Sequence, residues 1–230
     1  MSAVHEQVKH HFEKEASCYG TTITKLIPWY HEMISAVADA LPFQRNQPFH
    51  LIDLGCGAGT VSAMILERFP QCRVTALDFS GAMIREAGKH LNDERIRFVQ
   101  ADFSTWTWDR SYDAIVSSLA LHHLITDEHK KLFYRRCFQQ LEPGGIFCNA
   151  DIVLASRSSL QAVYMKRWKT FMMRSVSERE IEEEWLVKYR NEDVPGKMQD
   201  HLRWMSEIGY VDFDIVWKYY NFAVYCAFKS

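Results

Sequence analysis

The run Leu51-Ile52-Asp53-Leu54-Gly55-Cys56-Gly57-Ala58-Gly59-Thr60 limits what this chain can fold into more than any other stretch. A strand-like segment, Phe49 to Asp53, stops at a glycine-rich turn, and Val61, Ile65 and Leu66 then recur at helical spacing. Glycines at the end of a strand let a ligand approach the backbone, because no Cβ stands in the way. The helix that follows presents its N-terminus at the same place. Dinucleotide-binding turns read GxGxxG; here Gly59 comes one residue early, and Thr60 fills the slot of the third glycine. Asp53, just ahead of the turn, would repel a pyrophosphate but suits a ligand that carries an ammonium and a sulfonium. A nicotinamide dehydrogenase is therefore disfavoured.

The strand–helix unit repeats. Arg73 to Asp78, Arg95 to Gln100, Tyr112 to Ser117 and Ile146 to Asp151 read as strands. Between them, Ser80 caps a helix to about His90, Asp127 to Leu141 reads as the next helix, and Glu142-Pro143-Gly144-Gly145 as a turn. Strands that alternate with helices predict a parallel sheet covered on both faces. Residues 3–16 and 21–41 read as N-terminal helices, the second interrupted by Pro28. After Asp151 the rhythm changes. Leu160, Val163, Tyr164, Trp168 and Phe171 trace one helix face, Ser177 and Glu180 are spaced as a capping box, and a helix from Met198 to Ile208 ends at Gly209. Val211 to Trp217 and Tyr219 to Phe228, separated by Lys218, read as an antiparallel hairpin at the sheet edge. The expected fold class is α/β: a Rossmann-like, mostly parallel seven-stranded sheet with an antiparallel C-terminal edge hairpin, N-terminal helices over residues 1–45, and a helical lid inserted over 156–190. All 230 residues read as a single domain.

Two further acids stand at strand ends. Asp78 closes the second strand, where a carboxylate accepts both hydroxyls of a ribose. Asp102 follows the third strand beside Phe103, so that the carboxylate can accept from an exocyclic amine while the ring packs on a base. Each acid alone reads equally well as a cap or a solvated loop residue; the series Asp53, Asp78, Asp102 at three consecutive strand ends is the pattern.

These residues resemble the class I S-adenosylmethionine-dependent methyltransferases. Asp53 to Gly59 resembles their first motif, Asp78-Phe79-Ser80 their ribose-binding acid, and Ala101-Asp102-Phe103 their adenine-binding motif. Ser118 to His123 resembles the stretch after strand four, and Leu141 to Gly145 the turn before strand five. Tyr19, Ile27-Pro28-Trp29-Tyr30 and Tyr220-Asn221-Phe222-Ala223 look like the group that contains carboxy-S-adenosylmethionine synthase and related methyltransferases. The resemblance implies S-adenosyl-L-methionine as cofactor. The residues expected to bind it are Tyr19, Tyr30, Asp53, Gly55, Cys56, Gly57, Asp78, Phe79, Met83, Asp102, Phe103 and Ser118. The synthase grips its extra carboxylate with an arginine in the last helix; that slot falls at Trp204 here, with Arg203 beside it, so plain methyl transfer is favoured.

Methyl transfer is an in-line displacement in which the protein mainly aligns the nucleophile and excludes water. His122 and His123 follow strand four, where the acceptor meets the methyl group in this fold. Adjacent residues point in different directions, so one of the pair is expected to face the site. His122 is the expected catalytic residue and His123 the one that packs or bonds locally. A metal site made by the pair with His31 or Asp151 is disfavoured, because adjacent histidines lack i, i+4 spacing, and no metal is expected. Trp168, Phe171, Met172 and Met173 would wall the acceptor pocket, while Lys166, Arg167, Lys169 and Arg174 read as a solvated face or as an attraction for an anionic acceptor.

A net charge of −2 supplies no global basic field for a polyanion, which favours a small-molecule acceptor over a nucleic acid without removing a local patch. Six cysteines without CxxC spacing, no signal-peptide core and no membrane-length apolar run suit a cytoplasmic protein that does not enter a membrane. A homodimer stays open. The rival readings are carboxy-S-adenosylmethionine synthesis, RNA modification on the same fold, and a non-catalytic cofactor-binding protein that acts through a partner.

Overall fold

The computed structural model describes residues 3–230, with side chains from Val8 onward; Met1 and Ser2, the start of the expected N-terminal helical region, lie outside the described residues. Helices α1 (Ala3–Glu15), α2 (Tyr19–Leu26) and α3 (Tyr30–Asp39) precede the sheet. Pro28 splits the expected second helix in two. Ile27 ahead of it is extended, as the residue before proline tends to be, and Trp29 re-enters α3 with a left-handed φ of 56°.

The wound unit follows as β1 (Phe49–Leu54), α4 (Thr60–Arg68), β2 (Cys72–Asp78), α5 (Gly81–His90), β3 (Ile96–Gln100), β4 (Tyr112–Ser118), a 3₁₀ turn (Leu121–His123), α6 (Asp127–Gln140) and β5 (Leu141–Ile152). Ser80 caps α5 as expected, its hydroxyl accepting the Met83 N–H at 3.2 Å. The chain continues through α7 (Ser158–Met172), α8 (Glu178–Glu180), a π-helical segment (Ile181–Trp185), α9 (Leu186–Glu192) and α10 (Met198–Ile208) to β6 (Tyr210–Tyr219) and β7 (Phe222–Lys229).

The seven strands run in the order β3-β2-β1-β4-β5-β7-β6, parallel except for β7, which is antiparallel to both β5 and β6. Successive residues of a strand face opposite sides. Leu51 of β1 accordingly joins the core under α3 and α4, while Ile52 and Leu54 join the core under α6 and α10. The strand order reverses between β1 and β4, so the loops at their carboxyl ends diverge and leave a crevice, the position where such sheets bind ligands.

Four details differ from the sequence reading. The turn Glu142 to Gly145 is absorbed into β5 as an irregularity, with Leu141 paired to Tyr112 and Ile146 to Ala114. The hairpin turns at Tyr220-Asn221 rather than Lys218, with Tyr220 at φ 49°. The apolar stripe of α7 is buried only in part: Leu160 and Val163 are 45% exposed, whereas Trp168 within it and Met172 beside it are buried. Only half of the capping box forms, because Ser177 accepts the Glu180 N–H while the Glu180 carboxylate takes the Trp185 indole N–H. Among the described residues no helix is long and apolar enough to cross a membrane.

Candidate active site

Two adjoining cavities open at the carboxyl ends of β1, β2 and β4. The larger, about 390 Å³, is lined by Gly55, Gly57, Asp78, Phe79, Asp102, Phe103, Ser118 and Tyr19 among others. These come from four strand ends and from α2, so eight of the twelve expected cofactor residues converge on one space. The other four do not line it. Tyr30, Cys56 and Met83 are buried, and Asp53 is fully buried.

The glycine turn has a distinct reason at each step. Gly55 has φ 70°, and a Cβ there would come within 2.4 Å of Ala120 Cβ. Gly57 has φ 53° and faces the cavity, with Tyr19 3.9 Å from where its Cβ would be. Gly59 starts α4 at φ 84° and is held by packing, since its Cβ would come within 2.6 Å of Leu91. The turn is tied to β2 by the Gly55 and Cys56 N–H groups, which donate to the Leu77 carbonyl at 2.8 and 3.0 Å.

Asp78 draws the turn and the next helix together. Its Oδ2 accepts the Gly57 N–H at 2.9 Å and its Oδ1 the Ser80 N–H at 2.8 Å. Burial raises its pKa to about 6 against the lowering effect of those two donors. Asp53 turns toward α4 instead of the cavity. Its Oδ2 accepts the Ser62 hydroxyl at 2.7 Å, its Oδ1 is buried without a partner, and burial raises its pKa to about 7. An unpaired buried carboxylate oxygen costs free energy, and a cationic ligand group beside this turn would offset that cost electrostatically. Asp102 Oδ1 accepts the Ser104 N–H at 2.8 Å, which fixes the loop after β3.

The wall after β4 is strained. Leu119 has φ 51°, unusual for a residue with a side chain, and its N–H is held by the Ala150 carbonyl at 2.8 Å. Leu119, Phe12, Tyr19 and His123 line both cavities. The second cavity, about 150 Å³, is otherwise walled by apolar residues such as Ile23, Leu26, Trp168 and Phe222, with His11, His122, Glu192 and Asp193 at one end.

Both histidines face this second cavity, contrary to the expectation that one would turn away; their rings sit 4.1 Å apart in the 3₁₀ turn. His122 Nδ1 lies 2.5 Å from Asp151 Oδ1, and its Nε2 lies 3.5 Å from Asp193 Oδ1. Burial would lower the His122 pKa, but the two carboxylates outweigh it and raise it to about 10. His123 goes the other way, to about 4, through burial and the charge of His122. Its Nδ1 stands 3.2 Å from the Glu192 carbonyl. His31 lies elsewhere, exposed against the Tyr30 ring.

The sequence reading held Leu119 only as part of the stretch after strand four, and it missed Phe12, Glu192 and Asp193. The last two close the site from about 70 residues downstream, where no local motif marks them. Of the four basic residues of α7 and its end, none lines either cavity: Lys169 pairs with Glu178 and Glu182, Arg167 lies over Tyr220 and Arg174 over Phe171. Trp204 is buried against His201, Arg203 pairs with Asp200 on the surface, and neither reaches a cavity.

Residues 51–145, which supply the glycine turn, the three acids and the histidine pair, match the model of a family described as Methyltransferase domain. That match and the chain's relatives identify residues 51–145 as a methyltransferase domain of the S-adenosylmethionine-dependent kind. The chain is similar at 26% identity, over 95% of its length and 82% of the relative's, to carboxy-S-adenosyl-L-methionine synthase of Chromohalobacter salexigens. Trans-aconitate 2-methyltransferase of Acidovorax sp. is 41% identical over 43% of this chain, which spans about a third (36%) of that protein. The solved DhpI-SAM-HEP complex shares the fold over the full length of both chains, with a TM-score of 0.69 and 21% identity. The chain spans about half the length of some other solved methyltransferases that share its fold.

Proposed function

We propose that this chain moves the methyl group of S-adenosylmethionine to a small molecule whose reacting end enters the second cavity. The observation that carries this reading is the size and position of that cavity. It holds about 150 Å³, adjoins the larger cavity through Phe12, Tyr19, Leu119 and His123, and is mostly apolar, with the Glu15–Lys188 pair, His122, Glu192 and Asp193 as polar groups in its wall. A cavity of roughly this size accommodates a benzene-sized group. That is too little for a nucleobase with its backbone, and it suits the end of a metabolite.

In this reading the cofactor supplies an electrophilic methyl group on sulfur, and the chain binds and aligns. Asp78 receives the ribose hydroxyls, and Asp102 with Phe103 holds the adenine. Tyr19, Gly55, Gly57, Phe79 and Ser118 shape the remaining wall, which Tyr30, Asp53, Cys56 and Met83 do not line. The unpaired oxygen of Asp53 favours the cationic end of the ligand. His122 positions the acceptor at the polar end, held by Asp151. Helices α7 to α9 act as the lid over residues 156–190, since Trp168, Met172, Trp185 and Tyr189 roof the second cavity. All six cysteines are free, although Cys148 and Cys226 are paired in register on neighbouring strands, which suits a cytoplasmic enzyme.

The test is to incubate the protein with S-adenosylmethionine and a fractionated metabolite extract and to follow S-adenosylhomocysteine release by mass spectrometry. A methylated small molecule is expected. Release that requires RNA or protein in the fraction would overturn the reading, and cofactor binding without release from any fraction would favour a non-catalytic role. Similarity to the carboxy-S-adenosylmethionine synthase over 95% of this chain and 82% of that protein favours a second reading, synthesis of the carboxylated cofactor. Native mass spectrometry separates the two, because a carboxylated cofactor has a distinct mass.

A further inference from the structure

The polar end of the second cavity holds a donor set that methyl transfer by itself does not require. His122 Nε2 stands 3.5 Å and His123 Nδ1 3.6 Å from the same Asp193 Oδ1, and one donor atom from each of the three residues lies within 4.8 Å of the other two. In a tetrahedral site with bonds of ~2.0–2.1 Å, neighbouring donors stand roughly 3.4 Å apart. Two of the three separations are therefore already those of ligands that share one ion.

We infer that His122, His123 and Asp193 form a binding site for one divalent transition-metal ion at the end of the second cavity.

The surroundings support this independently of the donor spacing. Ligating histidines characteristically donate their second ring N–H to a carboxylate, which fixes the tautomer and aims the free nitrogen. The His122 Nδ1 contact with Asp151 at 2.5 Å is that arrangement, and it directs Nε2 at Asp193; the ion would take the place of the Nε2 proton, which binding releases. Asp151 is itself fixed. It accepts the Ile152 N–H at 2.8 Å and the Asn149 amide at 3.3 Å, and Asn149 continues into a buried chain through Tyr225 to Tyr134 and His201. On the other side, the Val194 N–H donates to the His122 carbonyl at 2.9 Å, which fastens the Asp193 segment to the 3₁₀ turn. His123 Nδ1–H donates to the Glu192 carbonyl at 3.2 Å, so ligation through Nδ1 takes the tautomer with its proton on Nε2 and gives up that bond. Two imidazoles and a carboxylate, without a thiolate, suit Zn²⁺, Fe²⁺, Co²⁺ or Ni²⁺ better than Mg²⁺, Ca²⁺ or Cu⁺. Three protein ligands leave a position open toward the cavity, where an oxygen of the acceptor would bind. This last step rests on the second cavity being the acceptor site; the metal site does not.

The experiment measures the metal without any acceptor, so its failure is distinguishable from failure of the acceptor reading. The full chain is stripped with chelator and titrated with Co²⁺, followed by visible absorption, and with Zn²⁺ by calorimetry. Asp193→Asn and His122→Gln are measured alongside, with S-adenosylhomocysteine binding to show that each is folded. One equivalent of Co²⁺ is expected, with d–d bands and no sulfur charge-transfer band, and the affinity should fall at least ~10-fold in both variants. Absence of the band in the unsubstituted chain would overturn the inference and leave His122 as an imidazolium paired with two carboxylates. So would a band that survives in a folded variant, since the ion would then sit elsewhere. Should one variant fail to fold, the other and the unsubstituted spectrum decide the matter.

Discussion

A Cβ placed on Gly55 would lie 2.4 Å from the Cβ of Ala120. The turn after β1 and the turn after β4 are pressed together at that point, which brings the glycine turn and the histidine-bearing turn to one crevice. Gly57, two residues on, has no such neighbour: its Cβ would meet only Tyr19, at 3.9 Å. The two substitutions should therefore differ. Gly55→Ala should cost about 1–3 kcal/mol through overpacking, with a further ~1 kcal/mol for a side chain in the left-handed region. It should lower the melting temperature. Gly57→Ala should carry the same left-handed cost of ~1 kcal/mol but no overpacking, and should lose cofactor affinity, because its Cβ points into the larger cavity. Thermal unfolding and S-adenosylhomocysteine calorimetry on both variants check this; equal melting temperatures would contradict it.

Asp78→Asn preserves shape and removes the charge. A hydrogen bond to a charged group is worth ~1.5–3 kcal/mol, so S-adenosylhomocysteine affinity should fall at least ~10-fold. Asn keeps only one oxygen for the Gly57 and Ser80 N–H groups, so the glycine turn should loosen as well, which amide hydrogen exchange at Gly57 would report. An unchanged dissociation constant would remove Asp78 as the ribose ligand.

The pH response follows from the two buried acids. Asp53 is raised to about 7 and Asp78 to about 6, both mainly by burial, from an ordinary value of 3.8. A carboxyl whose pKa is higher in the folded state binds more protons folded than unfolded between those values. Its contribution therefore falls as pH rises from about 4 to about 7. The ligand's ammonium and ribose hydroxyls favour the ionised acids. The rise in melting temperature given by S-adenosylhomocysteine should then be larger at about pH 8 than at about pH 5, and affinity should weaken as pH drops through the Asp78 value. Calorimetry across that range tests the slope, and tighter binding at the acid end would count against the assignment.

Thr22 lines the second cavity and not the first. Thr22→Phe should fill space meant for the acceptor, raising KM for it about 10-fold or more while leaving S-adenosylhomocysteine affinity within about twofold. Calorimetry gives the second quantity before an acceptor is known. A large loss of cofactor affinity would mean that the two cavities act as one.

What the amino-acid sequence determined by itself is the wound sheet, the crevice and most of the residues around it. Asp78, Asp102, Gly55, Gly57 and the Ser80 cap are legible because each depends on its near neighbours: where a strand ends, which residue lacks a Cβ, which hydroxyl meets the next N–H. The resemblance to methyltransferases rests on the same local order. Tertiary structure alone decided which side chains share a space. Asp53 reads as a cavity residue but bonds Ser62 across the turn, because alternation along β1 places it on the α4 side of the sheet. His123 reads as a packing residue, yet it stands between the two cavities, because a 3₁₀ turn held by Asp151 and the Glu192 carbonyl aims both rings the same way. Asp193 carries no mark in its own neighbourhood. It becomes a partner of both histidines only when α7, α8 and α9 have packed back over the strand ends, since burial and approach between distant segments are properties of the packed chain and not of any stretch within it.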